Sequence, residues 1–284
     1  MTSQSKIPRH GGARPRALPA HPAAKDHAVP ARAARRLAEV GPELRARLER
    51  GDIAARTLSE ALAIDLAALF GHAFGRAGAA GAARIGEAAG QGYTVRMALA
   101  GAELGKLGPA ALADALAHPS DSVRGFAAHA LAQAAAAFDA TLRDRLAPLA
   151  DDPHFAVREW AWLAARPHIA ADPDRAIKLL APWARSPQEN LRRYASEATR
   201  PRGVWCRHID AFKREPERAL PVLDPLQADP SRYVQDSVGN WLNDAAKDQP
   251  AFVRGTVRRW LDDDDRDDPA PTAYIAKRAL RSIF

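Results

Sequence analysis

Asp152-Pro-His-Phe-Ala-Val-Arg-Glu-Trp-Ala-Trp-Leu163 joins a proline turn to an apolar-faced helix through the pair Val157-Arg158. The chain repeats this phrase. His118-Pro-Ser-Asp-Ser-Val-Arg124 leads into Gly-Phe-Ala-Ala-His-Ala-Leu131, and Ser186-Pro-Gln-Glu-Asn-Leu-Arg192 leads into Arg-Tyr-Ala-Ser-Glu197. Asp229-Pro-Ser-Arg-Tyr-Val-Gln235 leads into Asp-Ser-Val-Gly-Asn-Trp-Leu242. With Val123, Val157, Leu191 and Val234 taken as equivalent, the spacings are 34, 34 and 43, and a weaker fifth copy places Ile275 a further 41 residues on.

Periods of this length, each built on a proline turn and a helix, are those of helical solenoids, and the turn followed by Val-Arg favours HEAT-like repeats. Partner helices are expected between the copies, over Ala140–Leu149, Pro173–Ala184 and Glu215–Leu226. Stacked pairs of this kind bury a continuous apolar seam and curve into a concave surface. Apolar residues make up 47% of the 284 residues and are dominated by alanine, the best helix former, while runs of β-branched residues alternating with period two are nearly absent. The predicted fold class is all-α, a HEAT-like repeat domain over residues 31–284. Upstream of the repeats, helices are expected over Ala31–Arg50 and Thr57–Phe74, the second opened by a capping box at Thr57-Leu-Ser-Glu60. A glycine-rich loop is expected over Gly75–Gly81. It is no phosphate cradle, since no strand precedes it and no Gly-Lys-Ser/Thr follows.

Residues 1–30 carry several prolines and few large apolar groups, which predicts a disordered basic tail. Residues 1–36 hold eight cations against the single acid Asp26, so the chain's whole formal charge of +7 resides there and the other 248 residues are formally neutral. A nucleic-acid surface on the folded part must therefore come from segregated charge rather than from excess. The one cysteine, Cys206, excludes an internal disulfide and reads as a small packed side chain in a reducing compartment. No run approaches the ~20 apolar residues of a membrane span, and the first thirty residues lack the apolar stretch of a signal peptide, so a cytoplasmic protein is expected.

Candidate site residues follow from the repeat register. In Asn190–Trp205, Leu191, Ala195 and Ala198 form an apolar stripe, and Arg193, Glu197 and Arg200 repeat its spacing roughly on the opposite side. Pro201 ends the helix. Two positions after each reference residue stand Gly125, Glu159, Arg193 and Asp236, a column on the face away from the core. Glu197 and Asp244 lie about 240° and 280° round from their reference residues, at about 100° per residue, and so point to similar sides of neighbouring helices. His129 shares the phase of Glu197. On periodicity alone the simplest role of Glu197 is an exposed ion pair with Arg193 and Arg200, and Asp244 reads as a solvated neighbour of Lys247. Trp160, Trp183, Trp241 and Trp260 are expected in the core, and the role of Trp162 is open. Trp205, in a loop between Arg202 and Arg207, suits stacking or a cation–π contact. The nine histidines show no metal-ligand spacing, the acidic run Asp262–Asp268 reads as a solvated loop, and no nucleophile turn is present.

At these same residues the sequence is similar to the AlkC branch of the AlkC/AlkD superfamily of bacterial DNA alkylation-repair glycosylases. Arg192-Arg-Tyr-Ala-Ser-Glu-Ala-Thr-Arg-Pro-Arg and Trp205 resemble that branch's Arg-Arg-Leu-x-Ser-Glu-Gly-Thr-Arg-Pro-Arg-Leu-Pro-Trp. Asp229–Asp248 resembles Asp-Pro-Ser-x-Tyr-Val-x-x-Ser-Val-Ala-Asn-x-Leu-Asn-Asp-x-x-Lys-Asp, and Phe155-Ala-Val-Arg158 fits a third, shorter motif. The sequence departs from the pattern in three places. His154 stands where the family has an acid, Ala198 replaces a glycine, and Gly203-Val204 replaces Leu-Pro.

The resemblance implies hydrolysis of the N-glycosidic bond of cationic N-alkylated bases such as 3-methyladenine or 3-methylcytosine, without rotating the lesion out of the helix. It implies active-site carboxylates at Glu197 and Asp244 and contact of Trp205 with the lesion's sugar. Glu159 or His154 is implied as an accessory at the place of the missing acid, and Arg158, Arg193, Arg200 and Arg202 as anchors on the DNA backbone. The expected protein is a bacterial monomer on double-stranded DNA, associated with the nucleoid when bound, without cofactor or metal. A second reading is a non-catalytic HEAT-like module that binds DNA structures or a protein.

Overall fold

A computed structural model of the chain describes residues 33–263 and 269–283. The tail expected over residues 1–30, the start of the helix expected at Ala31 and most of the acidic run Asp262–Asp268 lie outside these residues. Among the described residues the secondary structure is α-helical and 3-10, with no strand.

The chain enters through a short 3-10 turn at Leu37–Glu39 and α1 (Pro42–Arg50), which starts on Pro42 rather than running from residue 31. Proline is favoured at a first helical position because its missing N–H needs no partner there. The single helix expected over 57–74 is two. Thr57 caps α2 (Leu58–Leu62) by accepting the Glu60 N–H, and Asp65 caps α3 (Leu66–Glu87) by accepting the N–H groups of Ala67 and Ala68. The reciprocal half of the capping box is absent. The buried Glu60 carboxylate instead accepts the N–H groups of Ala34 and Arg56 and pairs with the Arg56 guanidinium. The expected loop at Gly75–Gly81 shrinks to one residue: α3 breaks at Gly75, whose φ of 53° lies in the left-handed region, and then resumes. Gly78 and Gly81 lie inside the helix, where a Cβ would meet Phe74 and Phe70 at 2.7 Å.

Five helices follow the repeat register: α4 (Tyr93–Leu107) and α5 (Pro109–Leu116), then α6 (Asp121–Gln133), α7 (Ala140–Ala150) and α8 (Phe155–Ala171). The next pair is α9 (Pro173–Leu180), extended by a 3-10 turn at Trp183–Arg185, and α10 (Glu189–Glu197). After α11 (Asp210–Arg214), the partner helix expected over Glu215–Leu226 is a composite: 3-10 turns at Pro216–Ala219 and Asp224–Leu226 flank α12 (Leu220–Leu223). The chain then forms α13 (Arg232–Ala246), α14 (Pro250–Asp262) and α15 (Ala270–Leu280). α3, α4, α6, α8, α10, α13 and α15 pack in that order as one row, and the helices between them cover its other side. This is a HEAT-repeat architecture.

Val123, Val157, Val234 and Ile275 are fully buried on α6, α8, α13 and α15, so the weak fifth copy is a true repeat. Leu191 is half-buried. Trp160, Trp183, Trp241 and Trp260 are in the core, as expected, and Trp162 joins them. The arginine of the Val-Arg pair folds back on its own turn in each copy. Arg124 Nη1 donates to the His118 and Pro119 carbonyls, Arg158 Nη1 to those of Asp152 and Pro153, and Arg192 Nη1 to those of Ser186 and Pro187. In the fourth copy Gln235 Nε2 donates to the Asp229 carbonyl at 2.7 Å.

The stretch leading into α2 is fastened to α6 and α8 at one residue, Ala55. The Ala55 N–H donates to Asp121 Oδ1 at 2.8 Å, and the Ala55 carbonyl lies 2.6 Å from His154 Nε2. The row also depends on close approach of its helices. A Cβ on Gly101 of α4 would sit 2.3 Å from the His129 Cβ and 2.9 Å from the Ala130 nitrogen of α6. Gly101→Ala is therefore expected to lower stability by about 1–3 kcal/mol through overpacking, read as a lower urea midpoint with an unchanged slope. An unchanged midpoint would show that α4 and α6 do not meet at this glycine.

Candidate functional site

The site is built on three neighbouring helices of the row. α10 and its exit carry Arg193, Glu197 and Arg200; α13 carries Tyr233, Ser237 and Asp244; α8 carries Glu159 and Trp162. Glu197 is ion-paired, as its spacing predicts, but it is not exposed: only 5% of its surface is accessible. Its Oε1 accepts from Arg200 Nη1 at 2.7 Å, its Oε2 accepts from Ser237 Oγ at 2.7 Å, and Arg193 Nη2 stands 3.7 Å away. Arg200 reaches the other carboxylate as well. Its Nε and Nη2 donate to Asp244 Oδ2 at 2.9 and 2.7 Å, while Lys247 Nζ donates to Oδ1 at 3.4 Å. Asp244 is likewise buried rather than solvated. One guanidinium thus joins carboxylates from two successive repeats.

Burial opposes the charge on Glu197. The charges of Arg193 and Arg200 and the hydrogen bonds from Ser237 and Arg200 outweigh it and hold the carboxyl below its usual range. The same balance, seen from the cations, raises Arg193 and Arg200 despite their burial. Each charge in the set is favoured by its neighbours of opposite sign.

The column expected through Glu159, Arg193 and Asp236 exists in part: Glu159 and Arg193 are in contact, while Asp236 bonds to the next helix. Arg193 Nη1 pairs with Glu159 Oε1 at 2.5 Å and its guanidinium lies 4.6 Å from the Tyr233 ring centre. Glu159 Oε2 accepts from Trp162 Nε1 at 2.8 Å, and Asp236 Oδ1 accepts from Tyr274 Oη at 2.6 Å. Gly125 is the exception, buried under Trp160. His129 does not join the site; it is packed against Trp160, and burial depresses its pKa to about 4.

The remaining predicted residues take these places. His154 caps α8: its Nδ1 accepts the Ala156 N–H at 3.2 Å, which leaves the ring proton on Nε2 to donate to the Ala55 carbonyl. Arg158, besides holding its turn, lies over the Tyr233 ring at 5.1 Å. Arg202 makes a two-point pair with Asp248, Nη2 to Oδ1 at 2.9 Å and Nε to Oδ2 at 3.2 Å, with both side chains half-buried. Trp205 is 51% exposed at φ 63°, an uncommon conformation for a residue with a Cβ. Among the described residues the cation–π pairs fall on Tyr93, Trp162, Tyr233 and Tyr274, not on Trp205. Burial pushes the Cys206 thiol up, which makes it a poor nucleophile. Among the described residues no three His, Cys, Asp or Glu side chains converge as a metal set, and no helix is long and apolar enough to cross a membrane.

Beside the carboxylates opens a cavity of about 330 Å³. Glu159, Glu197 and Arg200 give it a charged side, while Tyr93, Trp160, Trp162 and Leu163 give it an apolar one, with Phe155, Val204 and Trp205 also in its lining. Leu58 and Ala61 of α2 complete the wall. The sequence reading missed this wall, Ser237, Tyr233 and the buried Arg166. Only Ser237 carried a local signal: it lies within the same repeat phrase as Asp244, three residues after Val234, on the flank of the helix that meets α10.

Residues 155–281 match the family described as DNA alkylation repair enzyme, and residues 109–199 match HEAT repeats. The fold is similar to that of Pseudomonas fluorescens alkylpurine DNA glycosylase AlkC, bound to DNA containing an abasic site analog. The TM-score is 0.62 at 25% identity, over 88% of this chain and 65% of that one. It is also similar to AlkD2 from Streptococcus mutans, with a TM-score of 0.54 at 20% identity, over 71% of this chain and 98% of that one, a likeness of fold alone. The Bacillus subtilis (strain 168) protein YhaZ, itself uncharacterized, is 42% identical over 87 residues, 31% of this chain and 24% of its own length. The chain thus spans less than two thirds of both AlkC and YhaZ.

Because Glu197 is held below the ordinary carboxylate range, its charge stabilises the fold at neutral pH, and that contribution is lost as pH falls through the lowered pKa. Glu197→Gln is expected to be less stable than the unaltered protein near pH 7. The gap should narrow progressively below the unfolded glutamate value of about 4.3. Urea melts of the two proteins across that range measure the gap, and a constant gap would remove the charge from the account.

Proposed function

We propose that this chain, in which residues 155–281 form a DNA alkylation repair enzyme domain on HEAT repeats, is a DNA glycosylase for cationic N-alkylated bases. The observation that carries the reading is the pair of buried carboxylates, Glu197 and Asp244, held on Arg200 beside an aromatic cavity. An alkylated base already bears a positive charge, so its bond to C1′ breaks without a general acid: the bonding electrons pass to the base nitrogen and neutralise it. Positive charge then develops on deoxyribose. Ionised carboxylates next to the sugar stabilise that charge and orient the water whose oxygen bonds to C1′, as in glycoside hydrolysis generally. The water proton passes to a carboxylate or to solvent.

Arg193 and Arg200 keep Glu197 ionised at neutral pH, the form this chemistry needs. Glu159 faces the same cavity and takes the place of the acid that His154 does not supply. Trp205, exposed at the cavity rim, is positioned to lie against the lesion's sugar, with the lesion kept within the helix. Of the four arginines, Arg158 and Arg193 are committed to internal partners, so Arg202 is the foremost phosphate anchor, exchanging Asp248 for the DNA backbone. His154, with both ring nitrogens on backbone groups, favours the second reading of a non-catalytic DNA-binding module.

Release of bases from methylated duplex DNA separates the two. Glu197→Gln and Asp244→Asn are each expected to slow release on the order of 10²-fold while duplex binding persists. Binding should weaken as salt rises, with a log–log slope of roughly −0.9 per phosphate contacted. Binding without release by the unaltered protein would favour the non-catalytic module. Absence of both would favour a protein-binding scaffold.

A further inference from the structure

Arg166 on α8 is 2% exposed, and its partners are three backbone carbonyls. Nη1 donates to the Ala198 carbonyl at 3.1 Å, Nη2 to that of Arg200 at 2.6 Å and Nε to that of Arg207 at 3.1 Å. Among the described residues no carboxylate pairs with it. A guanidinium buried without a direct ion pair depends on its hydrogen bonds to offset desolvation, and the charges of Glu197 and Asp244 reach Arg166 only from a distance. Here those bonds hold both flanks of one loop. Ala198 and Arg200 follow the last turn of α10, where a helix leaves carbonyls unsatisfied, and Arg207 lies two residues past Trp205.

The loop is folded down onto this side chain. A Cβ on Gly203 would stand 2.3 Å from Cys206 Sγ and 3.1 Å from Arg166 Cζ, so glycine is needed for the close approach. Trp205 gains little support from packing, being half exposed, yet it holds a left-handed φ. A strained, exposed residue is kept by what fixes its neighbours. Those neighbours are fixed by Arg166, together with the Ile209 N–H donated to the Pro201 carbonyl at 3.0 Å. Arg166 also backs a cavity-lining side chain: its Cζ is 6.0 Å from the centre of the Trp162 ring.

We propose that Arg166 is the positioning residue of the site, setting from beneath the loop both the backbone of Arg200, which spaces the two carboxylates, and the conformation of Trp205. The consequence for rate rests on the glycosylase reading; the consequence for the loop does not. Two variants approach it from opposite sides. Arg166→Lys keeps the charge but loses the planar fork that serves three carbonyls. Gly203→Ala leaves Arg166 intact and pushes the loop off it.

The full chain is labelled with 5-fluorotryptophan, and the Trp205 resonance is assigned from its absence in Trp205→Phe. In both variants the Trp205 fluorine resonance is expected to shift or broaden while those of Trp183 and Trp260 stay in place. Single-turnover release from methylated duplex is expected to fall on the order of 10- to 100-fold, as for a misplacement of about 1 Å, with affinity for unmodified duplex changed less than about threefold. An unmoved Trp205 resonance in both variants would overturn the proposal, as would a moved resonance with an unaltered release rate. If the unaltered protein releases no base, the glycosylase reading fails and the fluorine spectra still decide the role of Arg166. Global unfolding of Arg166→Lys, seen as movement of all resonances, leaves Gly203→Ala to decide the case in the same way.

Discussion

Four of the repeats are fastened to their own entrances by one side chain each. In three copies the arginine after the reference residue turns back and donates to the two carbonyls of the proline turn, a backbone pair that the helix itself cannot satisfy, and in the fourth Gln235 donates to one. The valine fixes the rotation of the helix about its axis, and the arginine fixes where the helix begins. With both set, residues at the same offset in successive copies come to stand side by side. The approach of Glu159, Arg193 and Tyr233, and of Glu197 and Asp244, depends on that register.

The charges at the site form a closed set. Arg193 lies between Glu159 and Glu197, Arg200 between Glu197 and Asp244, and Lys247 at the end. Removing one member of such a buried set strands the others, which is more disruptive than the net contribution of any single pair. The arrangement holds its carboxylates in fixed places before anything binds, which is the preorganisation that electrostatic stabilisation of a cation needs. It also explains why a chain whose folded part is formally neutral can present a sharply structured field.

The repeats were legible because their signals are local: a proline turn, a valine and an arginine within seven residues. Helix starts were less so, since Glu60 fits a capping box by spacing yet serves Ala34 and Arg56 from across a packing contact. Periodicity placed Glu197 opposite the apolar stripe and so outside. It is buried all the same, because a helix in a stacked row is covered on more than one face, and the second covering helix, α13, lies some forty residues away. The same limit hides Arg166, whose partners stand 32 to 41 residues along the chain, and the cavity wall at Leu58 and Ala61. A resemblance of motifs could point to residues that touch a substrate; it carried no sign of those that hold them.

The backbone of Ala55, gripped by Asp121 on one side and His154 on the other, gives the histidine a meaning of its own. A carboxylate at that position could accept an N–H but could not donate to a carbonyl. His154 therefore serves architecture, tying down the residue that leads into α2, whose Leu58 and Ala61 form a wall of the cavity. That wall lies upstream of residues 155–281, the stretch that matches the repair-enzyme family.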